Sequence, residues 1–440
     1  MKTPICDFVR RYAQSDALRL HMPGHKGQGP LGCEALDITE IAGADSLYEA
    51  SGIIAESEAN ASALFGCDTF YSTEGSSQCI RAMLYLAGLD ARKRGKTPRI
   101  AAGRNVHKTF LSAAALLDLD VVWLYPETEE TFLSCRISPA RLEAALAAGG
   151  ITAVYLTSPD YLGAGADIAA LAAVCHRHGA LLLVDCAHGA YLRFLPGSRH
   201  PMDLGADLCC ASAHKTLPVL TGGAYLHVAP PDLSRQAKNA LALFGSTSPS
   251  YLILQSLDRA NAYLEDYPRR LAEFLPRAAE LKERLAAHGY RLYGDEPLKV
   301  TIASKAYGYT GTDLARLLLE QNIICEFADP DFLVLMLTPE TGPAGSQRLE
   351  DALTAIPRRE PLTSQPPIIP RARRVLSIRE AALAPSETLP ADQCAGRILS
   401  AASVGCPPAV PILVCGERID EGAVACFQYY SIGTCTVVEE

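Results

Sequence analysis

The sequence predicts an α/β fold, with a mainly parallel sheet in a large domain and smaller α/β domains toward the C-terminus. From about residue 55 to residue 270, short apolar runs typical of strands alternate with helical patterns. This rhythm is typical of strand–helix–strand units, in which helices cover both faces of a parallel sheet. The chain has 440 residues, more than one typical core requires, so we expect several domains.

The strand and helix candidates follow one another in a regular order. The apolar runs predict strands at Arg99–Ala102, Val121–Tyr125, Ala153–Thr157, Leu181–Asp185 and Leu208–Ala211. The helical patterns that alternate with them are Ser76–Arg94, Lys108–Leu117, Pro139–Ala148 and Asp167–His178. In such sheets ligands bind at the carboxyl ends of the strands, so we expect the site there.

Prolines divide the second half of the chain. A long helical pattern covers Pro249–Ala287, and Pro268 and Pro276 are expected to kink or split it. Five prolines mixed with charges between Ile356 and Pro370 indicate a linker.

The C-terminal part contains two β-like runs, Val410–Val414 and Thr436–Val438, which suggest a small separate domain. We therefore predict four regions: an N-terminal arm at 1–30, a large domain at 31–270, a small α/β domain at 271–365 and a C-terminal domain at 366–440.

Composition narrows the class of protein. Hydrophobic residues make up 49% and charged residues 20%, and the net charge of −9 gives no sign of a nucleic-acid surface. No apolar stretch reaches the length of a membrane span, and the N-terminus lacks a signal-peptide pattern, so we expect a cytoplasmic protein. The 15 cysteines form no paired C-x-x-C clusters, and a reducing compartment requires no disulfide.

Lys215 is the first candidate for chemistry. It follows His214 directly after a strand-like run that ends at Ser212. A lysine with a lowered pKa can form a Schiff base with an aldehyde cofactor such as pyridoxal 5′-phosphate (PLP). An isolated lysine here would more simply be a surface residue, and it is the surrounding segments that favour the cofactor.

Asp185 ends another buried strand, thirty residues before the lysine. A carboxylate there can pair with the pyridine nitrogen of PLP and keep the ring protonated, which makes the ring an electron sink. The alternative for Asp185 is a helix N-cap. His188 can lie beside the same ring or orient the substrate, and a hydrogen-bonded loop histidine is an equal alternative.

Two further segments complete the candidate site. Gly75, Ser76 and Ser77 stand where a loop enters a long helix, and helix N-termini with hydroxyls bind phosphate, although serine is also an ordinary N-cap. His107 follows the strand Arg99–Ala102, where an imidazole could stack on the cofactor ring, although a lone loop histidine is more often only hydrogen-bonded.

The order of these segments resembles the bacterial ornithine/lysine/arginine decarboxylase family. Nine segments carry the resemblance along most of the chain: Leu20–Gly27, Asp37–Glu40, Ser72–Ser77, Arg104–Lys108, Thr157–Pro159, Asp185–His188, Ser212–Pro218, Ser246–Tyr251 and Pro407–Glu417. Nine motifs in the right order are more specific than any one of them.

The resemblance implies a fold type I PLP enzyme that decarboxylates arginine, lysine or ornithine to an amine and CO2, as in polyamine biosynthesis. It implies that Lys215 binds PLP, Asp185 pairs with the pyridine nitrogen and His107 stacks on the ring. Around the phosphate it places Ser76, Ser77, Ser212 and His214, with Ser246 and Thr247 reaching the phosphate of a neighbouring subunit. The active site would then lie at the interface of a homodimer or a larger homo-oligomer. The region 366–440 would be the family's C-terminal domain.

The sequence also departs from the family pattern at Asp160 and Cys415, and the chain resembles a short form without the N-terminal regulatory domain of longer members. These departures leave the cofactor residues intact. The sequence does not decide whether the substrate is arginine, lysine or ornithine. Glu417 could contact a cationic head group or be a surface carboxylate.

Other activities remain open at this stage. An aminotransferase or β-lyase would use the same fold, and Arg373, Arg374 and Arg379 could bind a substrate carboxylate. A catalytically silent regulatory homologue is a further alternative. We expect no metal site, since Pro23 and Gly24 between His21 and His25 argue against the helix that would align the two imidazoles.

Overall fold

The computed structural model describes residues 1–127, 131–369, 371–401 and 409–439. Pro370 of the predicted linker, and Pro407 and Pro408 of the last family motif, lie outside these ranges. The helices of the described residues are α1 Pro4–Ala13, α2 Ile53–Phe65, α3 Gly75–Lys93, α4 Lys108–Leu117, α5 Pro139–Ala147, α6 Ile168–Arg177, α7 Ala213–Thr216, α8 Pro231–Ser234, α9 Ala237–Ala242, α10 Tyr251–Leu264, α11 Tyr267–His288, α12 Gly311–Leu319, α13 Gly342–Thr354, α14 Ile378–Leu383 and α15 Glu421–Tyr429.

The strands of the same residues form three sheets. They are β1 Asp68–Ser72, β2 Arg99–Gly103, β3 Asp120–Leu124, β4 Ala153–Thr157, β5 Leu181–Asp185, β6 Leu208–Ala211, β7 Ala224–Val228, β8 Leu292–Tyr293, β9 Lys299–Ala303, β10 Phe327–Ala328, β11 Phe332–Met336, β12 Ser386–Pro390, β13 Leu399–Ala401 and β14 Thr434–Val438. The largest sheet has the order β1-β7-β6-β5-β4-β2-β3, and the smaller ones have the orders β10-β11-β9-β8 and β12-β14-β13.

The predicted fold class is confirmed. Each of the five predicted strands overlaps a strand of the large sheet, and the helical patterns that alternate with them form α3 to α6. Strands β5 and β6 pair in parallel, as do β2 and β3. Strand β7 is antiparallel to both of its neighbours, β1 and β6. The connection from β6 to β7 contains only the one-turn helix α7, whereas a parallel crossover usually requires a full helix.

The long helical pattern at Pro249–Ala287 is two helices. Helix α10 ends at Leu264, and α11 begins shortly after it, at Tyr267, with Pro268 in its first turn. There a missing backbone N–H costs no helical hydrogen bond. Pro276 lies inside α11, which continues through it.

The prediction of a strand at Val410–Val414 is wrong. This segment is buried but lies in no strand, and Pro411 in its middle has no N–H to donate to a ladder. The run Thr436–Val438 is confirmed as part of β14.

The chain divides into two compact units by its internal contacts. Unit 1 comprises Met1–Pro98, Gly149–Tyr155 and Ile168–Arg270, and unit 2 comprises Arg99–Ala148, Leu156–Asp167 and Leu271–Glu440. The division into four regions remains a prediction. Within the described ranges, no helix combines the length and apolar character that a membrane crossing requires.

Unit 1 contains a buried pair of histidines, His200 and His227. Both rings are fully buried, and their centroids lie 5.0 Å apart, edge to face. Nδ1 of His227 lies 2.9 Å from the hydroxyl of Thr69. Both ring nitrogens of His200 lack a hydrogen-bond partner among the described residues. Burial lowers the pKa of His200 to about 4, and burial together with His200 lowers the pKa of His227 well below its usual value.

This pair predicts an acid-sensitive fold. The unfolded chain binds a proton at His200 near pH 6.5 and the folded chain only near pH 4, so stability decreases as the pH falls through that window. Asp203 nearby opposes the shift and Arg193 reinforces it. The free energy of unfolding of the parent protein should fall between pH 7 and pH 4.5. In the His200→Gln variant we expect this fall to be smaller by roughly 2 kcal/mol, measured by urea titration at each pH.

The matched control is His288→Gln. The side chain of His288 is exposed and loses little hydration on folding. A His200→Gln protein with the pH dependence of the parent would show that this buried ring does not contribute to acid sensitivity.

Candidate active site

The described residues of unit 1 bring Lys215 next to His188. The Nζ atom of Lys215 lies 3.0 Å from Nε2 of His188. His188 is buried and Lys215 is half-buried. Lys215 belongs to α7, directly after β6, and His188 follows β5, the neighbouring parallel strand. Because parallel strands end at the same edge of a sheet, two separate segments meet where ligands of such sheets bind.

Asp185 is held at the end of β5 by a fully apolar strand. Leu182, Leu183 and Val184 before it are completely buried, and burying each such side chain contributes roughly 1.5–3 kcal/mol. Asp185 itself is only 2% exposed. The strand therefore carries a carboxylate into the interior rather than to the surface.

Three hydrogen bonds reach the carboxylate of Asp185. The hydroxyl of Tyr155 donates to Oδ2 at 3.0 Å, and the backbone N–H of Ala187 donates to Oδ1 at 3.2 Å. The thiol of Cys210 donates to Oδ1 at 3.5 Å. None of these donors is a cation, and within the described part of the chain no cationic side chain forms an ion pair with Asp185.

This arrangement tests whether PLP fits the residues present. A buried carboxylate without a positive partner is costly, and a protonated pyridine nitrogen supplies such a partner. An amine that can bind an aldehyde lies beyond the neighbouring strand, at Lys215. The donor set therefore fits a ring that is positive at one end and held by an amine at the other.

A second cluster lies at the N-terminus of α3. The hydroxyl of Ser212 donates to Oγ of Ser76 at 2.9 Å. A methyl group added to Gly75 would point toward the ring of His214, with 4.0 Å to Cε1. Gly75, Ser76, Ser212 and His214 thus lie close together at a helix N-terminus, where backbone N–H groups and the helix dipole favour a phosphate. Ser77 is half-buried in the first turn of the same helix.

Two glycines that the sequence analysis left without a role bring this cluster together. Gly222 accepts a hydrogen bond at 2.7 Å from the N–H of Gly75. The carbonyl of Gly223 accepts from the N–H of His214 at 3.2 Å and lies 3.0 Å from its Nδ1. Gly222 has φ +101°, and a Cβ there would lie 2.8 Å from the carbonyl of Thr73. The Gly-Gly pair before β7 was the available signal for such a close approach.

Ser246 and Thr247 are exposed. The backbone N–H of Ser246 donates to Oε1 of Glu74, the residue before Gly75 in the same chain. The role of both residues at a neighbouring subunit stays a prediction.

His107 belongs to unit 2, where it is the N-cap of α4. Its Nδ1 accepts from the N–H of Thr109 at 3.2 Å and lies 2.9 Å from the hydroxyl of that threonine. The ring is half-buried. This hydrogen bond fixes the orientation of the imidazole, and the stacking role predicted for it stays a prediction.

Glu417, also in unit 2, is neither a surface carboxylate nor an unpaired one. It is 2% exposed, and its Oε2 lies 2.7 Å from Nη2 of Arg104. The same oxygen accepts from the N–H of Val414 at 2.8 Å. The charge of Glu417 is thus already matched by Arg104. Arg104 lies three residues before His107 in the sequence.

Asp160, one of the departures from the family pattern, organises its own loop. Its Oδ1 accepts from the N–H groups of Leu162 and Ala164, at 3.0 and 2.8 Å. The residue is buried. It is therefore a structural turn residue in unit 2.

Comparison with known proteins decides the family. Residues 3–301 match the family model described as Orn/Lys/Arg decarboxylase, major domain. The chain belongs to the Orn/Lys/Arg decarboxylase family. As a member it is a PLP-dependent amino-acid decarboxylase of fold type I, so the predicted family, enzyme class and cofactor are confirmed.

Relatives of this decarboxylase match over nearly its whole length. Uncharacterized protein YaaO of Bacillus subtilis is 30% identical over 96% of this chain and 93% of its own length. Arginine decarboxylase of the same organism is 30% identical over 96% and 92%, respectively. Among solved structures, the lysine decarboxylase of Francisella novicida aligns with a TM-score of 0.83 at 16% identity, covering 99% of this chain and 81% of that one. At such identity this likeness shows the fold alone.

The cluster at the N-terminus of α3 predicts a specific effect of Gly75→Ala. Gly75 has φ +70°, so an alanine should cost about 1 kcal/mol of stability and also fill the space beside His214. We expect the PLP affinity of the cofactor-stripped protein to fall by roughly tenfold or more, measured by fluorescence titration.

Gly95→Ala is the matched control, because Gly95 lies just beyond the other end of α3, with φ +69° and open space around it. It should lose similar stability and keep its PLP affinity. Equal affinities in the two variants would show that the space beside Gly75 does not receive the phosphate.

Proposed function

We propose that this decarboxylase acts on a basic amino acid, arginine, lysine or ornithine, and releases the corresponding amine and CO2. The observation that carries the proposal is the contact of Lys215 with His188, three residues after Asp185, a buried carboxylate that forms no ion pair with a cation of the described residues. The relative with an assigned activity described above is an arginine decarboxylase that spans nearly the whole chain. Arginine is therefore the first substrate to test.

Each residue of unit 1 has a role that its position supports. Nζ of Lys215 would hold PLP, and Asp185 would keep the pyridine nitrogen protonated. PLP, when bound, supplies the electron sink that stabilises negative charge at the substrate Cα after CO2 leaves. The phosphate of PLP would be a third point of attachment. It would be held by Gly75, Ser76, Ser77, Ser212 and His214.

His188 would control protons at Lys215. Because their nitrogens lie 3.0 Å apart, one of them must accept the hydrogen bond and the other donate. A lysine that donates to His188 can lose its proton along that bond. A neutral amine is the form that attacks an aldehyde, so this contact prepares Lys215 for binding PLP. The stacking of His107 on the cofactor ring is part of the same proposal.

The aminotransferase alternative is disfavoured by two of the three C-terminal arginines. Nη1 of Arg374 lies 3.4 Å from Oδ1 of Asp120. Nη1 of Arg379 donates to the carbonyls of Ala115 and Leu116, at the end of α4. These guanidinium groups are occupied within the fold, which leaves only Arg373 of that set for a substrate carboxylate.

We also propose that the protein works as a homodimer or larger homo-oligomer. Ser246 and Thr247 are exposed and polar, as residues that serve a neighbouring phosphate must be. Sedimentation of the holoenzyme, and mixing of Ser246→Ala with Lys215→Ala subunits, would test a shared site. Recovery of activity in the mixture supports the shared site, and inactivity of every mixture contradicts it.

The substitution Lys215→Ala tests the central assignment. We expect loss of the visible absorbance of lysine-bound PLP and a fall in turnover by at least about a hundredfold, because proton transfer by a placed group contributes that much or more. The measurement is CO2 release from arginine, lysine and ornithine, with absorbance spectra of the same samples.

Lys96→Ala, at an exposed lysine after α3, is the control and should keep both the spectrum and the turnover. Keto-acid formation in place of CO2 would establish transamination instead. Bound PLP with no turnover on any of the three substrates would favour a silent homologue.

A further inference from the structure

Tyr155 lies behind the carboxylate of Asp185, and the sequence analysis gave it no role. It is on β4, the neighbour of β5 in the sheet, and its side chain is fully buried. Its hydroxyl donates to Oδ2 of Asp185 at 3.0 Å. The carboxylate therefore has a fixed, dry donor on one of its two oxygens.

The donor is permanent over the working pH range. Burial, and then the nearby Asp185, raise the pKa of Tyr155 well above its usual value, so the phenol keeps its proton. A neutral phenol that donates its hydrogen to a carboxylate oxygen stabilises the ionised acid.

The thiol of Cys210 provides a weaker partner on the other oxygen. It lies 3.5 Å from Oδ1 of Asp185, and burial raises its pKa well above the usual value. Cys210 is the residue that pairs with Asp185 across the β5–β6 ladder. One carboxylate oxygen thus accepts from a phenol of β4, the other accepts from a thiol of β6 and from the N–H of Ala187, and these donors determine the orientation of the carboxylate.

We propose that Tyr155 is a positioning residue, whose hydroxyl orients Asp185 and lowers its affinity for a proton so that the proton remains on the cofactor nitrogen. The proposal rests on the proposed function, in which Asp185 faces the pyridine nitrogen. It assigns to β4 a part in tuning the cofactor, through a residue that acts by way of its hydrogen bond to Asp185.

Tyr155→Phe removes one oxygen and keeps the ring that packs in the core. Without the donor, Asp185 becomes more basic and draws the proton away from the ring nitrogen. A less positive ring favours a protonated Lys215 nitrogen, so the pH midpoint of the visible absorbance change should rise by roughly half a unit or more. In steady state, kcat should fall by about tenfold with KM little changed, because the electron sink weakens while substrate contacts persist.

The chain offers a matched control in Tyr225. Its side chain is also fully buried in unit 1, and its hydroxyl has no hydrogen-bond partner among the described residues. Tyr225→Phe should leave the absorbance midpoint and the kcat unchanged. Thermal denaturation of both variants shows whether either change reflects a general loosening of unit 1.

A double-mutant cycle with Asp185→Asn separates a positioning role from a structural one. If Tyr155 acts through the charge of Asp185, Tyr155→Phe should produce no further midpoint shift when it is combined with Asp185→Asn. Cys210→Ser, which places a stronger donor on Oδ1, should move the midpoint in the opposite direction. Additive shifts in the cycle, or a Tyr155→Phe midpoint equal to that of the parent, would overturn the proposal.

The same spectra distinguish failure of this inference from failure of the proposed function. If Asp185→Asn alone leaves the absorbance unchanged, Asp185 does not face the cofactor and the proposed site is wrong. If Asp185→Asn changes the spectrum and Tyr155→Phe does not, the site stands and the role of Tyr155 is refuted. Neither readout requires knowledge of the substrate.

Discussion

A buried carboxylate that forms no ion pair within the described ranges is the constraint on which the candidate site depends. Asp185 is carried inward by three fully buried residues of β5, and its hydrogen-bond donors among the described residues are a phenol, a thiol and a peptide N–H. Such a group would lower the stability of a protein that gained nothing from it. A protonated pyridine nitrogen of PLP would supply the missing positive charge. The buried position of Asp185 would then strengthen the binding of the cofactor.

The topology of the sheet explains why the other residues lie near this point. Strands β5 and β6 are parallel neighbours, so the segments that follow them, with His188 and Lys215, leave the sheet at the same edge. The antiparallel return to β7 then brings Gly222 and Gly223 back to that edge, where they bind the N-terminus of α3 and His214. The short connection from β6 to β7 therefore carries both Lys215 and the two glycines that contact the proposed phosphate site.

The sequence predicted the alternating strands of the large sheet well, because apolar strands between amphipathic helices have a strong local pattern. It failed at Val410–Val414, where apolar composition suggested a strand and Pro411 prevented one. It also left Glu417 open as a substrate contact, although the residue is paired with Arg104. Partners distant in sequence cannot be recognised from composition, since a buried ion pair and an exposed carboxylate share the same residue type.

Tyr155 illustrates the same limit in the site itself. In the sequence of Ala153–Thr157, Tyr155 is one more large residue of a buried strand. Its hydrogen bond to Asp185 becomes visible only when β4 and β5 are placed side by side. The motifs with Asp185 and Lys215 can be recognised in the sequence because each is short and lies at or just after the end of an apolar strand. Tyr155, which we propose orients Asp185, lies in the middle of a neighbouring strand. Its apolar neighbours in the sequence give no local sign of that role. The cofactor chemistry is therefore predictable from the sequence in outline, whereas its electronic adjustment depends on how β4, β5 and β6 are placed side by side.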